Sequence, residues 1–167
     1  MRFFTPDLYA RLQGPGPSAM DAADAEWERA ETAYAQHIRS IRPGLPDSVC
    51  ELLDETRLHD AEVLWMGRSL PFFGILLRLD VPPHATLLLN YFLLAPPRLD
   101  TSALPPEHRT AGMQWLYDEV DSAGSRTAGF QHTILFSNGW ELQLQAGEVH
   151  RVTLDTVYTP AEVSVTA

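Results

Sequence analysis

The spacing of hydrophobic residues changes once along this chain, close to residue 58. Up to that point, apolar side chains recur every three or four positions, which is the period of an amphipathic helix. After it, they occur in short runs and alternations that are separated by proline, glycine and an Asn-Gly pair. Alternation with a period of two is typical of strands. The pattern therefore predicts a helical part over 1–57 and a β-rich part over 58–158 of a single domain, 1–167.

Three helices are predicted in the first part. The first begins after Thr5, a residue type that caps helix N-termini, and it ends at the Gly-Pro linker 14–17. The second covers 18–42, and the third starts at Pro46. The second helix carries acidic residues in its first half, which we interpret as a solvated outer face. Six of its residues share one apolar face, which we expect to lie on the sheet: Ala23, Trp27, Ala30, Tyr34, Ile38 and Ile41.

About seven strands are predicted in the second part. The pair Asn138-Gly139 lies between two alternating apolar runs, which is a strong hairpin signal. Residues 86–94 are apolar at both odd and even positions, and therefore on both faces of the strand. We place this strand centrally and expect cover on both of its faces. The proline-bearing segment 96–106 is predicted as a loop. The predicted strands cover 58–65, 72–79, 86–94, 114–120, 130–136, 140–144 and 149–157, with turns at 67–69 and 82–84.

Short links between short strands favour an antiparallel meander. We therefore predict an α+β fold in which three N-terminal helices pack across one face of a curled, mostly antiparallel sheet, and 159–167 form a loose tail. Twelve side chains are expected to be largely buried: Trp27, Tyr34, Ile38, Val63, Ile75, Leu77, Leu89, Leu116, Ile134, Phe136, Leu142 and Leu144.

The charge of the chain restricts its partners. The net charge is −10, from 22 acidic and 12 basic residues, and all of the basic residues are arginine. Nucleic-acid and anionic-membrane binding depend on clustered basic side chains, so we predict neither. The apolar runs are too short to cross a bilayer, and the N-terminal residues do not have the pattern of a signal peptide. We expect a cytoplasmic protein, monomeric or homodimeric.

Few residues are candidates for chemistry. Cys50 is the only cysteine, and its apolar neighbours indicate a buried structural residue. His59 and Asp60 are adjacent at the seam between the two parts; on a strand they would point to opposite faces. His132 occupies an apolar strand face, and a meeting of His59 and His132 near a carboxylate would suit a transition metal. The carboxylates Asp118, Glu119 and Asp121 cluster on one strand, which we interpret as a solvated sheet edge.

Three segments carry a resemblance to a known family. They are the opening Met-Arg-Phe-Phe-Thr-Pro-Asp-Leu-Tyr (1–9), the seam Leu-His-Asp-Ala-Glu-Val (58–63), and Phe-Gln-His-Thr-Ile-Leu-Phe-Ser-Asn-Gly (130–139). Together they resemble an uncharacterised bacterial family of domain-of-unknown-function proteins along most of its length. The resemblance implies a small bacterial α+β protein and brings no known activity or site residue.

Two hypotheses on function follow. The sequence contains no nucleophile elbow and no phosphate-binding glycine loop, so we favour a non-enzymatic interaction protein without a cofactor. Its acidity suits a basic partner protein, as in a bacterial immunity protein that neutralises a toxin domain. The alternative is a hydrolase-type enzyme with a dispersed metal site. Its candidate ligands are His59, His132, Asp60, Asp118 and Glu119.

Overall fold

The computed structural model describes residues 1–14, 17–124 and 128–154, and the side chains of all of these except 17–19. The predicted tail at 159–167 and the end of the last predicted strand lie outside the described residues. The elements are α1 (Pro6–Leu12), α2 (Pro17–Ile41), α3 (Asp47–Glu55), β1 (Glu62–Ser69), β2 (Phe72–Arg78), β3 (Thr86–Leu93), β4 (Arg98–Asp100), β5 (Trp115–Ser122), β6 (Phe130–Phe136) and β7 (Glu141–Leu154), with 3₁₀ turns at Arg42–Gly44 and Pro106–His108.

The sheet is antiparallel throughout and curls into a half-barrel. Its strand order is β1-β2-β3-β7-β6-β5, and β4 pairs with the first residues of β7. The two end strands meet at one point, where Glu62 bridges Gln114 and the Val63 amide donates to the Met113 carbonyl at 2.8 Å. Three N-terminal helices and a curled antiparallel sheet of seven strands confirm the predicted fold class.

Two predicted strands form one long strand, and one predicted loop contains a strand. The segments 140–144 and 149–157 are joined in β7, because Ala146 pairs with both Phe130 and Leu93 and the strand runs on past Gly147, which has no pairing partner at a register shift, instead of turning. The first half of β7 pairs with β6, and its second half pairs with β3. β4, which is the third strand that pairs with β7, lies inside the segment predicted as a loop. The expected number of strands is therefore right, although two of the assignments are wrong.

The first turn also lies elsewhere than predicted. β1 continues through Gly67-Arg68-Ser69, and the chain turns at Leu70-Pro71. The hairpin at Asn138-Gly139 is confirmed, with Gly139 at a positive φ of 88° between β6 and β7. Proline cannot donate to a strand ladder, which explains why the turn falls at Pro71.

The core fills the inside of the half-barrel. Eight of the twelve predicted core residues are buried, and they come from β2, β3, β5, β6 and β7. The other four, Trp27, Tyr34, Ile38 and Val63, are partly buried, and Ile38 and Val63 pack against this core. Cys50 is likewise partly buried and packs against the core.

The helices cover one part of the sheet. α2 reaches the sheet at β5, where the Trp27 ring lies 4.5 Å from Tyr117, and α1 packs on α2. The Thr5 hydroxyl caps α1 by accepting from the Leu8 amide at 3.2 Å, as predicted. α3 lies beside the second half of β7, where the Ser48 hydroxyl accepts from the Val149 amide at 3.3 Å. No helix of the described ranges combines the length and the hydropathy that crossing a bilayer requires.

Candidate functional site: an uncovered sheet face

The outward side of β1, β2, β3 and the second half of β7 forms a continuous surface, which we call the open face. Ile75 and Leu89 are paired and fully buried inside the barrel, so the residues that alternate with them point outward. Strand register places the outward residues in four rows: Glu62–Arg78–Thr86–Leu154, Trp65–Leu76–Leu88–Val152, Gly67–Gly74–Asn90–His150 and Ser69–Phe72–Phe92–Glu148.

The open face is apolar and accessible. Its second row consists of apolar residues alone, and Trp65 at one end is 52% exposed while Val152 at the other is 46% exposed. Phe92, in the fourth row, is 40% exposed and stands edge-on to Phe72 at 5.8 Å. Soluble monomers seldom expose contiguous apolar patches of this kind unless the patch binds something.

None of the described helices has its main packing on β1, β2 or β3. The expectation that 86–94 is covered on both of its faces is therefore wrong. β3 is central, as predicted, but its outward residues form part of the open face. The apolar residues at odd positions of this strand thus fill the core, whereas those at even positions lie on the open face.

Trp65 lies flat on the sheet because two glycines make room for it. Gly67 and Gly74 are directly paired across β1 and β2. A Cβ atom on Gly67 would lie 2.6 Å from Trp65 Cζ2, and one on Gly74 would lie 2.8 Å from Trp65 Cζ3. The six-membered ring therefore covers the bare backbone of both glycines, and any larger residue at either position would displace it.

The charges around the open face nearly balance. Glu62 and Arg78 face each other across β1 and β2 at 3.4 Å, and both are about half exposed. Glu148 and His150 lie 3.3 Å apart on β7. The strong negative charge of the chain therefore comes largely from elsewhere, including the exposed acidic residues of the first half of α2, whose solvated outer face was predicted.

Inside the barrel, the predicted site residue His132 belongs to a buried polar chain. His132 is 0% exposed; its Nδ1 is 3.0 Å from the Tyr91 hydroxyl and its Nε2 is 2.9 Å from Asp118 Oδ2. The other carboxylate oxygen of Asp118 accepts from Trp115 Nε1 at 2.9 Å. Both imidazole nitrogens are therefore engaged, which meets the requirement that buried polar groups be hydrogen-bonded.

The electrostatics of this chain follow from burial and hydrogen bonding. Burial acts to raise the pKa of Asp118, but the hydrogen bond and charge of His132 and the hydrogen bond of Trp115 outweigh it, and the net pKa is lowered. Burial raises the pKa of the Tyr91 hydroxyl well above its ordinary value, and the Asp118 carboxylate adds to the effect. Tyr91 is thus a neutral donor or acceptor at physiological pH.

His59 and Asp60 are together and not on opposite faces, so that expectation is wrong. They occupy a turn before β1, where Asp60 has a positive φ of 64°, and His59 Nδ1 lies 2.8 Å from Asp60 Oδ2. The His59 ring stands 4.9 Å from the ring of Tyr117. Both side chains are about half exposed. The turn, which the strand assignment missed, is what lets neighbouring side chains meet.

The carboxylates of β5 do not form a solvated edge. Glu119 is buried and accepts hydrogen bonds from the amides of Arg2, Phe3 and Phe4, each at 2.7 Å. Asp118 belongs to the buried chain described above, and Asp121 lies 3.2 Å from His37 Nε2. Asp118 thus contacts His132 in the barrel interior, Glu119 contacts the N-terminal segment, and Asp121 contacts α2. The interpretation of these carboxylates as a solvated sheet edge is therefore wrong.

A cleft of about 810 Å³ lies between α3 and the second half of β7. Its charged lining includes Glu51, Glu55, Arg57 and Arg151. Arg151 already donates to Glu55 at 2.6 Å and to Thr56 at 2.8 Å, so its charge is compensated within the fold. The cleft therefore offers less free binding capacity than its volume suggests.

In the described ranges, no three side chains of the metal-ligating types are grouped so that they could hold an ion. The metal-site interpretation of His59, His132, Asp60, Asp118 and Glu119 stays a hypothesis.

Comparison of the chain with protein-family models and with curated proteins found no match. The open face is the feature that sequence reasoning missed, although the signal was present in the outward apolar residues of 86–94 and in Trp65 with its two glycines.

Proposed function

We propose that this protein is a non-enzymatic binding protein that holds a basic partner protein on its open face. The observation that carries the proposal is the exposed apolar row from Trp65 to Val152, which no described helix covers. Interfaces are rich in aromatic residues at their centre and have a polar rim. The open face has that arrangement, with Trp65 in the second row and Glu62, Arg78 and Glu148 in the first and fourth rows, where Phe92 adds a second exposed aromatic side chain.

The charge of the chain indicates which kind of partner fits. Two copies of a chain with a net charge of −10 repel each other, whereas a basic protein is attracted. Electrostatic attraction chiefly increases the association rate, and apolar contacts then hold the complex. A basic partner is therefore favoured over a second copy. Neutralisation of a basic toxin domain, in the manner of an immunity protein, is one activity of this type.

The alternative proposal of a metal-dependent hydrolase has less support. Its central residue, His132, is inaccessible to solvent and has both ring nitrogens occupied by Tyr91 and Asp118. A substrate or metal would have to displace one of these two hydrogen bonds, of which the one to Tyr91 is buried and the one to Asp118 is partly buried.

The test is capture of partners from a lysate of the native host at low salt. The bait is the wild-type protein, and the test variant is Phe92→Ser/Val152→Ser, which removes two exposed apolar side chains of the open face. Leu99→Ser is the matched control, because Leu99 is 46% exposed like Val152 but lies on β4. We expect a basic protein to be captured by the wild type and by Leu99→Ser at low salt, and lost with the double variant. Capture of the same proteins by all three baits would contradict the proposal.

A further inference from the structure

We propose that Trp65 is the anchor of the open face and that it stacks on an arginine or lysine side chain of the partner. The inference rests on the proposed function and specifies its chemistry. It is carried by three observations: how the indole is seated, which of its surfaces is accessible, and which charges surround it.

The seat fixes the indole before any partner arrives. The ring lies against Gly67 on its own strand and Gly74 on β2, and Leu88 Cδ1 lies 3.7 Å from the Cβ position of Gly74. A side chain that is already positioned loses little conformational entropy on binding. Rigid aromatic residues of this kind are typical binding hot spots.

The remaining surface of the indole is free to bind a cation. One face of the ring covers the glycines, and yet the residue is 52% exposed, so the accessible part includes the outward face. The face of an aromatic ring is the negative part of its quadrupole, and tryptophan is the best cation acceptor among the aromatic residues. Within the described residues, the cation–π contact found is Arg2 over Phe3, and none involves Trp65.

The carboxylate of Glu62, in the row next to Trp65, favours a cation over a neutral group. Glu62 precedes Trp65 on the same strand and lies in the neighbouring row of the open face. Glu62 is paired with Arg78 at 3.4 Å, and both side chains are half exposed. Such a surface ion pair is weak, so Glu62 can exchange Arg78 for a cation of the partner. An incoming guanidinium that stacks on Trp65 lies beside the Glu62 carboxylate, and the net charge of −10 raises the local concentration of cations.

The experiment uses a hexa-arginine peptide as the probe and the indole N–H signals of the four tryptophans as the readout. In ¹H–¹⁵N spectra at physiological salt, we expect the signal of Trp65 to shift on titration, while those of Trp27, Trp115 and Trp140 stay in place. Trp65→Leu should weaken binding roughly 3-fold to 30-fold, because it removes the ring and leaves every charge unchanged. Trp65→Phe should bind with intermediate affinity.

Gly74→Ala tests the seat separately. It keeps the indole but places a methyl group where the ring now lies, so we expect weaker binding of the peptide although Trp65 is present. The dispersion of the amide signals verifies that each variant is folded.

Equal affinity of wild type and Trp65→Leu for hexa-arginine, or an unmoved Trp65 signal, would overturn the inference. That failure is distinguishable from failure of the proposed function. If Phe92→Ser/Val152→Ser still abolishes capture of the basic partner, the open face binds it through other contacts. If the double variant captures normally, the open face is not the binding surface.

Discussion

At the scale of single residues, two acidic side chains of β5 make the hydrogen bonds that connect distant parts of the fold. Glu119 accepts three successive backbone amides and so ties residues 2–4 to β5, while Asp118 is bonded to His132 and Trp115. These roles cannot be predicted from the neighbouring residues in the sequence. The diagonal neighbours Asp118 and His132 depend on the register between β5 and β6, which contains an irregularity between Trp115 and Tyr117. A shift by one residue would separate them. The sequence thus identified both residues as candidates but not their bond.

Replacing Glu119 with glutamine should release the N-terminal segment. Glutamine keeps one acceptor oxygen, and its NH2 group replaces the other and faces at least one of the three amides, so at least one amide is left unsatisfied. Hydrogen bonds to a charged group contribute about 1.5–3 kcal/mol each, and we expect the free energy of unfolding to fall by about 2–3 kcal/mol. Urea denaturation measures this loss, and amide exchange should be accelerated at one or more of Arg2, Phe3 and Phe4. An unchanged midpoint would mean that Glu119 does not hold the segment.

Asp118 should make the stability of the protein depend on pH in the acid range. Its pKa in the folded state is lowered, because the hydrogen bond and charge of His132 and the hydrogen bond of Trp115 outweigh the opposing effect of burial. Its contribution is therefore fully present above the ordinary carboxyl pKa of about 3.9 and is lost as the pH falls through the lowered value. Asp118→Asn cannot titrate. The urea midpoint of the wild type should fall more steeply below about pH 4 than that of Asp118→Asn, and parallel pH profiles would contradict this assignment.

At the scale of elements, local signals predicted what they control directly. The Thr5 cap, the Asn138-Gly139 hairpin and the strand 130–136 are all in place, since each depends on neighbouring residues alone. The division of β7 into two strands was wrong for a physical reason. Gly147 has no pairing partner, so the buried positions change from 142, 144 and 146 to 149 although the backbone continues, and the two halves pair with different strands. Which strand lies alongside is non-local information, and no window of sequence contains it.

The long helix α2 illustrates how burial sets the cost of a substitution. Trp27 packs on Phe4 and Tyr117, but it is only partly buried, and its Nε1 donates to Glu31 at 3.0 Å. Complete burial would make Trp27→Ala cost about 3–5 kcal/mol; for a partly buried ring we expect about 2 kcal/mol. Glu28→Gln, on the exposed side of α2, should change stability by no more than about 0.5 kcal/mol. Urea midpoints that are the same for both variants would show that the aromatic cluster does not stabilise α2.

At the scale of the whole molecule, the helices and the open face occupy different parts of the sheet, and α3 contributes Val49 and Leu52 to the core. The N-terminal segment and α2 reach β5, α3 lies beside β7, and the outward side of β1, β2 and β3 is left without a helix among the described elements. The count of three helices and seven strands predicted the fold class but not this division, because a narrow helical stripe does not specify which strand it covers. The asymmetry is what turns an ordinary α+β domain into a candidate binding module.

This division predicts how the isolated protein responds to salt. With a net charge of −10, two molecules repel each other at low ionic strength, where the Debye length is about 30 Å at 0.01 M. At 1 M salt the Debye length falls to about 3 Å, and the apolar side chains of the open face are then free to associate. We expect sedimentation velocity to show a monomer at low salt and weak self-association at high salt, and we expect Phe92→Ser/Val152→Ser to remove that association while Leu99→Ser retains it. A stable dimer at low salt would reverse the argument from charge, because the attraction between two open faces would then exceed the repulsion, and the second copy would replace the basic protein as the preferred partner.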